Sequence, residues 1–215
     1  MTEFVGPRED YGAEALAEAD LLPDPIAQFE LWLAEATEAG LFEPSAFVLG
    51  TVSNSGGPQA RTVLLRRVSA GVFQFFTNYE SRKGEAITLN PKVSMVFGWY
   101  PLFRQVLVEG VARRLSDAES DAYFATRPRE SQLGAWASRQ SASLDARADL
   151  DLAVEEVGRR FEGFEEIPRP PFWGGYGVIP LRIEFWKGRS SRLHDRIVFE
   201  RDAEGGAWRI GRLQP

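Results

Sequence analysis

The stretch AFVLGTVSNSGGPQARTVLLRRVSAGVFQFFTN, residues 46–78, alternates apolar and polar side chains and is interrupted by the turn-forming segments NSGG and SAG. Alternation with a period of two, broken by Gly, Asn and Ser, is typical of β-strands joined by tight turns. We therefore predict three consecutive antiparallel strands, at residues 46–53, 59–68 and 72–78, forming a meander.

Helices and further strands are predicted on both sides of this meander. Asp24 caps a helix that ends at Gly40, a short helix begins near Ser81, and SDAE at 116–119 is a capping box. The other predicted strands cover 92–100, 103–115, 177–186, 192–201 and 207–213, and the other predicted helices end near 127 or cover about 130–138 and 145–162. Short antiparallel strands with inserted helices favour an α+β domain on a small closed barrel.

The composition excludes several kinds of chemistry. The 215 residues include 15 Phe and 6 Trp, enough for a substantial core, but no Cys and a single His. Disulfides, thiolate catalysis and Cys-based zinc or iron–sulfur sites are thereby excluded, and one His argues against a His-rich metal site. We expect no metal centre.

Charge is distributed unevenly along the chain. The net charge is −6, yet residues 1–45 alone contain eleven acidic residues and one arginine, so the rest of the chain is weakly basic. This excess is too small for a dedicated nucleic-acid binder, although local clusters could hold phosphates. With an acidic N-terminus and no membrane-length apolar run, we expect a cytoplasmic protein with no membrane partner, a mobile arm at 1–20 and one domain at 21–215.

Two basic stretches are candidate anion sites. Arg61 and Arg66 are five residues apart, so on a regular strand they face opposite sides and serve different groups. Ser81, Arg82 and Lys83 lie at the start of a predicted helix, where free N–H groups and the helix dipole favour a phosphate. Phosphate binding is favoured there over a solvated turn.

A third candidate is the segment YFATRPRES, residues 123–131. Tyr123, Arg127 and Ser131 are four residues apart and could surround a phosphate dianion. Pro128 disfavours helix at Arg127, so a capped helix with ordinary surface polar residues remains an open alternative.

The last candidate is WKGRSSRLHDR, residues 186–196, which contains the only histidine. If it were a strand, Arg192, His194 and Arg196 would share one face, an arrangement that favours an anion or an electron-rich ring against them. A solvated outer strand whose charges discourage edge pairing is equally compatible.

Seven blocks of this chain occur in the order and approximate spacing of the pyridoxamine 5′-phosphate oxidase family. They are RTVLLRR, FFTNYESRKG, FRQVLVEG, RPRESQLGAWASRQS, FWGG, IEFW and RLHDR. The resemblance runs from about residue 8 to the C-terminus. It implies an FMN-binding split β-barrel with surrounding helices and a homodimer with FMN at the subunit interface. It also implies oxidation of pyridoxamine or pyridoxine 5′-phosphate to pyridoxal 5′-phosphate, with O2 as acceptor and hydrogen peroxide as product.

The resemblance also assigns roles to individual residues. The implied FMN-binding residues are Arg61, Thr62, Val63, Leu64, Leu65, Arg66, Phe76, Thr77, Arg82, Lys83, Gln105, Gln140, Ser141, Trp186 and Arg196. The implied substrate-binding residues are Arg8, Tyr11, Arg66, Tyr123, Arg127, Ser131, Arg192, Leu193 and His194. Of these, Arg192 and His194 are implied to be catalytic, at the pyridine ring and its reacting side, and Arg8 and Tyr11 to belong to an arm that closes over the substrate.

Two positions depart from the family pattern. Arg66 stands where the family usually has Lys, so the charge is kept but the cation is longer and planar. Phe76 replaces a frequent Tyr, which is a quiet change if the contact to FMN is through the backbone. Two rival functions remain open: a phenazine-biosynthesis flavin oxidase on the same fold, and a non-catalytic flavin- or pyridoxal-phosphate-binding protein. The acidic pI of 5.1 disfavours a nucleic-acid barrel.

Overall fold

The computed structural model describes Tyr11 and residues 14–215, which contain five α-helices and nine β-strands. The helices are α1 (Pro25–Glu38), α2 (Arg82–Leu89), α3 (Asp117–Ala125), α4 (Arg129–Ala137) and α5 (Arg147–Arg160). The strands are β1 (Ala46–Val52), β2 (Pro58–Leu64), β3 (Arg67–Ser69), β4 (Val72–Asn78), β5 (Lys92–Trp99), β6 (Arg104–Arg114), β7 (Trp173–Lys187), β8 (Asp195–Glu200) and β9 (Arg209–Leu213).

The helices begin where the capping residues predicted them. The Asp24 carboxylate accepts the Ile26 N–H at the start of α1, and the Ser81 hydroxyl caps α2. Ser116 and Glu119 form the reciprocal capping box of α3. Side-chain oxygens in these positions satisfy amide groups that have no partner within the helix. The predicted helices at 130–138 and 145–162 are confirmed as α4 and α5.

The strand order corrects two expectations. Strands pair in the order β2-β1-β5-β6-β7-β4-β3, with β8 on β7 and β9 on β8, so β2 and β4 are not neighbours and the single meander is wrong. The predicted strand at 59–68 is interrupted at Leu65 and Arg66, where the Arg66 N–H donates to Gln74 O at 2.9 Å. Among the described strands the order ends at β2, β3 and β9 rather than closing on itself, so the closed barrel is also wrong.

The chain divides into two compact units. Unit 1 contains the described residues up to Val48, Met95–Glu109 and Pro180–Pro215, and unit 2 contains Leu49–Ser94 and Gly110–Ile179. The expected boundary between an arm and a single domain at residue 20 stays a prediction. Within Tyr11 and 14–215, no helix combines the length and the apolar character needed to cross a membrane.

Each unit has its own aromatic packing. In unit 1, the Phe29 and Phe97 rings lie 4.8 Å apart and the Trp32 and Phe185 rings 5.2 Å apart. In unit 2, Phe124, Phe161, Ile167 and Trp173 form a buried cluster. Because aromatic side chains bury large apolar areas, these clusters stabilise the elements that carry the polar groups described below.

The segment before β8 corrects a third expectation. The predicted strand at 192–201 begins only at Asp195, because residues Ser190–Arg192 form a 3-10 turn. Ser191 and Arg192 adopt left-handed backbone angles, with φ of 55° and 61°. The prediction that Arg192, His194 and Arg196 share one strand face is therefore wrong, and only Arg196 lies on the strand.

Candidate active site

The first group of candidate residues lies in unit 2 around the start of α2. Lys83 Nζ donates to Gln140 Oε1 at 2.6 Å, to Thr77 Oγ1 at 3.2 Å and to Ser81 Oγ at 3.2 Å. Thr77 Oγ1 in turn donates to Gln140 Oε1 at 3.1 Å. The structure thus brings together three predicted cofactor residues that are far apart in the chain: Thr77, Lys83 and Gln140.

Arg61 extends this group from β2. Its guanidinium donates to Leu49 O at 3.1 Å, Thr51 Oγ1 at 2.8 Å and Gln59 Oε1 at 3.2 Å. We call Arg61, Arg82 and Lys83 the cationic cluster. Every acceptor that the described residues provide to Arg61 and Lys83 is neutral, so neither charge is compensated by a carboxylate.

Burial and mutual repulsion disfavour the charged forms of Arg61 and Lys83 in the cationic cluster. Burial, and then the charge of Arg61, lowers the pKa of Lys83 to about 8. Burial, and then the charge of Arg82, lowers the pKa of Arg61. Since a lowered pKa means that the protonated form is disfavoured, an anion placed at the cluster would be stabilised by all three cations.

The other predicted cofactor residues of unit 2 surround this cluster. Arg82, Gln140 and Ser141 line a cavity of about 1090 Å³ whose apolar wall includes Trp136 and Phe172. On β2 and just beyond it, Thr62 is exposed, Val63 and Leu64 are half-buried and Leu65 is buried. These side chains carry no charge, so any contact they make to a ligand is apolar, through the Thr62 hydroxyl or through the backbone.

The second group surrounds Arg127, which lies between α3 and α4. Its Cζ atom is 4.7 Å from the centre of the Trp173 ring and 5.5 Å from that of Phe124. Its Nη1 is a buried donor with no hydrogen-bond partner within the described residues. Burial lowers the pKa of Arg127, Tyr123 opposes this shift, and the charge of Arg66 adds to it. A buried donor without an acceptor costs about 1–3 kcal/mol, so an acceptor on a bound ligand would stabilise this group.

Aromatic rings support this guanidinium. The Phe76 and Tyr123 rings stack at 3.8 Å with an interplanar angle of 15°, and Phe76 lies 5.7 Å from Trp173. Pro128 does end the helical path, as predicted, and Ser131 lies in the first turn of α4. Tyr123, Arg127 and Ser131 therefore come from α3, a connection and α4 rather than from one helix face.

The third group lies in unit 1 around the only histidine. His194 Nδ1 accepts the Arg189 N–H at 3.1 Å, so the neutral ring carries its proton on Nε2. The His194 ring lies 4.7 Å from Trp186 and 5.7 Å from Tyr11. Arg192 and Leu193, just before it, are exposed. The structure thus joins His194, Trp186 and Tyr11 in one aromatic contact.

Two further predicted cofactor residues of unit 1, Arg196 and Gln105, lie outside this aromatic contact. Arg196 Nε and Nη2 donate to the Glu184 carboxylate at 2.7 and 3.1 Å, and Arg196 Nη1 donates to Gln214 O at 3.1 Å. Its charge is therefore already compensated, although it pairs with Trp186 across β7 and β8. Gln105 is half-buried near the start of β6. Arg8, predicted to contact the substrate, lies outside the described residues.

Sequence reasoning missed three participants. Trp173, within the block FWGG, was assigned no site role, but its observed contacts are with Phe76, Tyr123 and Arg127. The Arg189 N–H and the Asp195 carboxylate were not singled out at all. The block FWGG was a sequence signal that could have identified Trp173. No sequence signal identifies a backbone donor such as the Arg189 N–H or the burial of the Asp195 carboxylate.

Two family models match the chain. Residues 33–161 match the model described as pyridoxamine 5′-phosphate oxidase, and residues 173–215 match the one described as the pyridoxine 5′-phosphate oxidase C-terminal dimerisation region. Together they contain all three groups of candidate residues except Tyr11.

Full-length relatives agree with these matches. A pyridoxine/pyridoxamine 5′-phosphate oxidase of Rubrobacter xylanophilus is 55% identical over 99% of this chain and 97% of its own length. One of Burkholderia pseudomallei is 49% identical over the whole of both chains.

Solved structures confirm the predicted α+β split-barrel fold. PhzG from Burkholderia lata, in complex with tetrahydrophenazine-1-carboxylic acid, matches with a TM-score of 0.85 and 31% identity over 94% of this chain and 98% of its own. An FMN-binding protein from Nostoc punctiforme, described as related to pyridoxamine 5′-phosphate oxidase, matches in fold with a TM-score of 0.68 and 15% identity over 94% of this chain and all of its own. From the shared fold, the two family models and relatives at about half identity, the chain belongs to the pyridoxamine 5′-phosphate oxidase family and is an oxidoreductase of that type.

Proposed function

We propose that this chain oxidises pyridoxamine or pyridoxine 5′-phosphate to pyridoxal 5′-phosphate, with FMN as cofactor and O2 as electron acceptor. The amine reaction consumes O2 and water and releases ammonia and hydrogen peroxide; the alcohol reaction consumes O2 and releases hydrogen peroxide. The observation that carries the proposal is the buried Arg127 Nη1, a donor that lacks an acceptor among the described residues.

A phosphate monoester matches the surroundings of Arg127. Its dianion would accept the unused Nη1 donor, and the hydroxyls of Tyr123 and Ser131 offer neutral donors from the adjoining helices α3 and α4. Arg66, whose charge acts on Arg127, would add a second cation. The Trp173 face beneath the guanidinium limits its rotation, which favours one orientation of the bound phosphate.

The cationic cluster fits the phosphate of FMN. Arg61, Arg82 and Lys83 provide three cations, and the acceptors that the described residues offer to Arg61 and Lys83 are all neutral. Thr77 and Gln140 provide neutral hydrogen-bonding groups beside Lys83. When bound, FMN would supply the acceptor for the hydride that leaves the substrate C4′. The role of the protein is to fix both phosphates, since two anchors align the reacting groups.

Arg192 and His194 would act on the substrate ring. Because Nδ1 of His194 accepts the Arg189 N–H, its Nε2–H is left as a hydrogen-bond donor. The exposed Arg192 guanidinium adds a flexible cation on the neighbouring turn. We propose that these two side chains orient the pyridine ring and stabilise the charge that develops as a hydride leaves C4′ and the substrate amine or hydroxyl loses its proton.

The match of residues 173–215 to a dimerisation region supports a homodimer. We infer that FMN lies at its subunit interface. In this arrangement each subunit would contribute cationic or aromatic residues to the cofactor.

The decisive experiment is a product assay on the purified protein. We expect FMN absorption, and formation of pyridoxal 5′-phosphate and hydrogen peroxide in equal amounts under air with either phosphorylated substrate. Bound flavin without peroxide would instead identify a non-catalytic binding protein.

The likeness to PhzG keeps one rival function in view. A carboxylated tricyclic compound could also pair with cations. Such a compound carries no phosphate, however, so the proposed phosphate site at Arg127 would have no ligand. Turnover of a reduced phenazine carboxylate at a higher kcat/KM than pyridoxamine 5′-phosphate would establish the rival.

The lowered pKa of Lys83 predicts how FMN affinity depends on pH. The flavin-free protein loses the Lys83 proton near pH 8, whereas a bound phosphate raises that pKa, so binding above pH 8 takes up a proton. Affinity is expected to be flat from pH 7 to 8 and to fall above pH 8 by up to about tenfold per pH unit. Quenching of FMN fluorescence by flavin-stripped protein measures this.

The matched variant for this experiment is Lys83→Arg. A guanidinium stays protonated throughout this range, so the variant should show a flatter profile. Identical slopes for the two proteins would exclude Lys83 as the titrating group.

A further inference from the structure

Asp195 is a buried carboxylate with three donors, all in unit 1. Its Oδ2 accepts the Leu16 N–H at 2.9 Å and Arg189 Nη1 at 3.4 Å, and its Oδ1 accepts Arg212 Nη1 at 2.6 Å. Only 7% of the residue is exposed. None of the site roles described above involves this carboxylate. The three hydrogen bonds that it accepts therefore indicate another role.

One arm of this network holds the segment before α1. Arg212 on β9 donates to Leu16 O at 2.8 Å and to both Glu18 carboxylate oxygens, at 2.9 and 3.0 Å. Leu16 is thus fixed at its N–H by Asp195 and at its carbonyl by Arg212. The segment Leu16–Glu18 is thereby attached directly to the residue that follows His194.

The other arm of the network reaches the histidine ring. Arg189 donates through its side chain to Asp195 and through its backbone N–H to His194 Nδ1. Arg189 therefore connects the carboxylate to the atom that determines the His194 tautomer. A displaced Arg189 would release that ring.

The turn between Arg189 and His194 is one that needs external support. Ser191 and Arg192 both have positive φ, which costs roughly 1–2 kcal/mol for each side-chain-bearing residue. Within the turn itself, the Leu193 N–H donates to Ser190 O at 3.1 Å. Such a conformation persists only where surrounding contacts hold both of its ends, and the Arg189 and Asp195 contacts do so.

The carboxylate is held in its charged form. Burial opposes ionisation, but the Leu16 N–H and Arg212 outweigh it, with Arg189 adding to their effect, and the pKa of Asp195 is lowered. The charged side chains that donate to it, Arg189 and Arg212, are both cationic. Asp195 stays ionised at neutral pH, so the network persists under the conditions of turnover.

We propose that Asp195 is a positioning residue: its carboxylate holds the strained turn that carries Arg192 and His194, and fastens it to the segment Leu16–Glu18. This role rests on the proposed function, since it concerns the orientation of the two residues assigned to the substrate ring. It would act on kcat, because the phosphate anchors lie on other elements.

Asp195→Asn tests the role with little change of shape. Asparagine keeps one acceptor oxygen but presents an N–H₂ group to donors, so it weakens the network without emptying the site. We expect kcat for pyridoxamine 5′-phosphate to fall about tenfold while KM and FMN content stay within about twofold. The same variant made in an Arg192→Ala/His194→Ala background should lose almost nothing further, because the loss acts through those two side chains.

The matched control is Asp202→Asn. Asp202 also makes a two-point pair with an arginine, Arg209, at 2.7 and 2.9 Å, but on the surface of unit 1. It should leave kcat and KM unchanged.

Arg189→Met decides the question if Asp195→Asn does not fold. It keeps an aliphatic stem and should reproduce the fall in kcat at unchanged KM. Wild-type kcat in both variants, or losses fully additive with the Arg192→Ala/His194→Ala double substitution, would overturn the positioning role. A wild-type protein that forms no pyridoxal 5′-phosphate would instead contradict the proposed function.

Discussion

Arg127→Ala is expected to lower kcat/KM for pyridoxamine 5′-phosphate by roughly 10²-fold. The guanidinium is the buried cation of the proposed phosphate site, and its Nη1 donor has no acceptor among the described residues. The measurement compares pyridoxamine 5′-phosphate with unphosphorylated pyridoxamine in both proteins. The wild-type protein should strongly prefer the phosphorylated substrate, and the variant should lose most of that preference.

Arg201→Ala is the control for loss of a cation stacked on an aromatic ring. Arg201 Cζ lies 4.4 Å from the Trp208 ring centre, and its Nε donates to Pro180 O at 2.8 Å. This variant should keep the wild-type preference for phosphorylated substrate. If Arg127→Ala kept that preference too, the phosphate site would have to lie elsewhere.

Arg192→Ala is expected to lower kcat/KM by roughly 10²-fold as well, through a different step. The exposed guanidinium belongs to the turn beside His194, so its loss should disturb orientation of the pyridine ring rather than phosphate binding. The preference for phosphorylated over unphosphorylated substrate should therefore persist. Alanine and arginine pay a similar cost at a φ of 61°, so the backbone of the turn should change little.

Steady-state kinetics with Arg192→Lys and Arg147→Ala complete this test. Lysine keeps the charge without the planar fork and should recover part of the activity. Arg147 is an exposed residue of α5 paired with Asp151, so its removal controls for the change in net charge. An Arg192→Ala protein with full catalytic efficiency would exclude Arg192 from the site.

Much of the fold follows from local patterns. Alternation located β1, β4, β5 and β6, and side-chain caps such as Asp24 and Ser81 located the helix starts, because these signals depend on neighbours in the chain. The interruption at Leu65 and Arg66 could not be predicted, since no Gly, Pro, Asn or Asp marks it. Likewise, the positive φ of Arg192 depends on contacts of Arg189 and Asp195 rather than on its own side chain.

The candidate site, like the fold, has features that the sequence predicted and others that depend on tertiary packing. Motif order identified the residues, but not which charges the chain itself compensates. The pairing of Arg196 with Glu184 across two strands and the unpaired donor of Arg127 both depend on tertiary packing. The four-residue spacing of Tyr123, Arg127 and Ser131 suggested a single helix face. That prediction was wrong because Pro128 lies between two separate helices.

The inward orientation of Arg61 has a consequence unrelated to ligands. The strand order ends at β2, at β9 and at β3, and β3 is only three residues long. β2 begins with Pro58, which has no N–H to offer, and carries a charged side chain that turns back to Leu49 and Thr51. Proline, inward charge and short length all discourage the addition of a foreign strand. The inward-turned Arg61 is therefore one of the features that disfavour strand addition along β2.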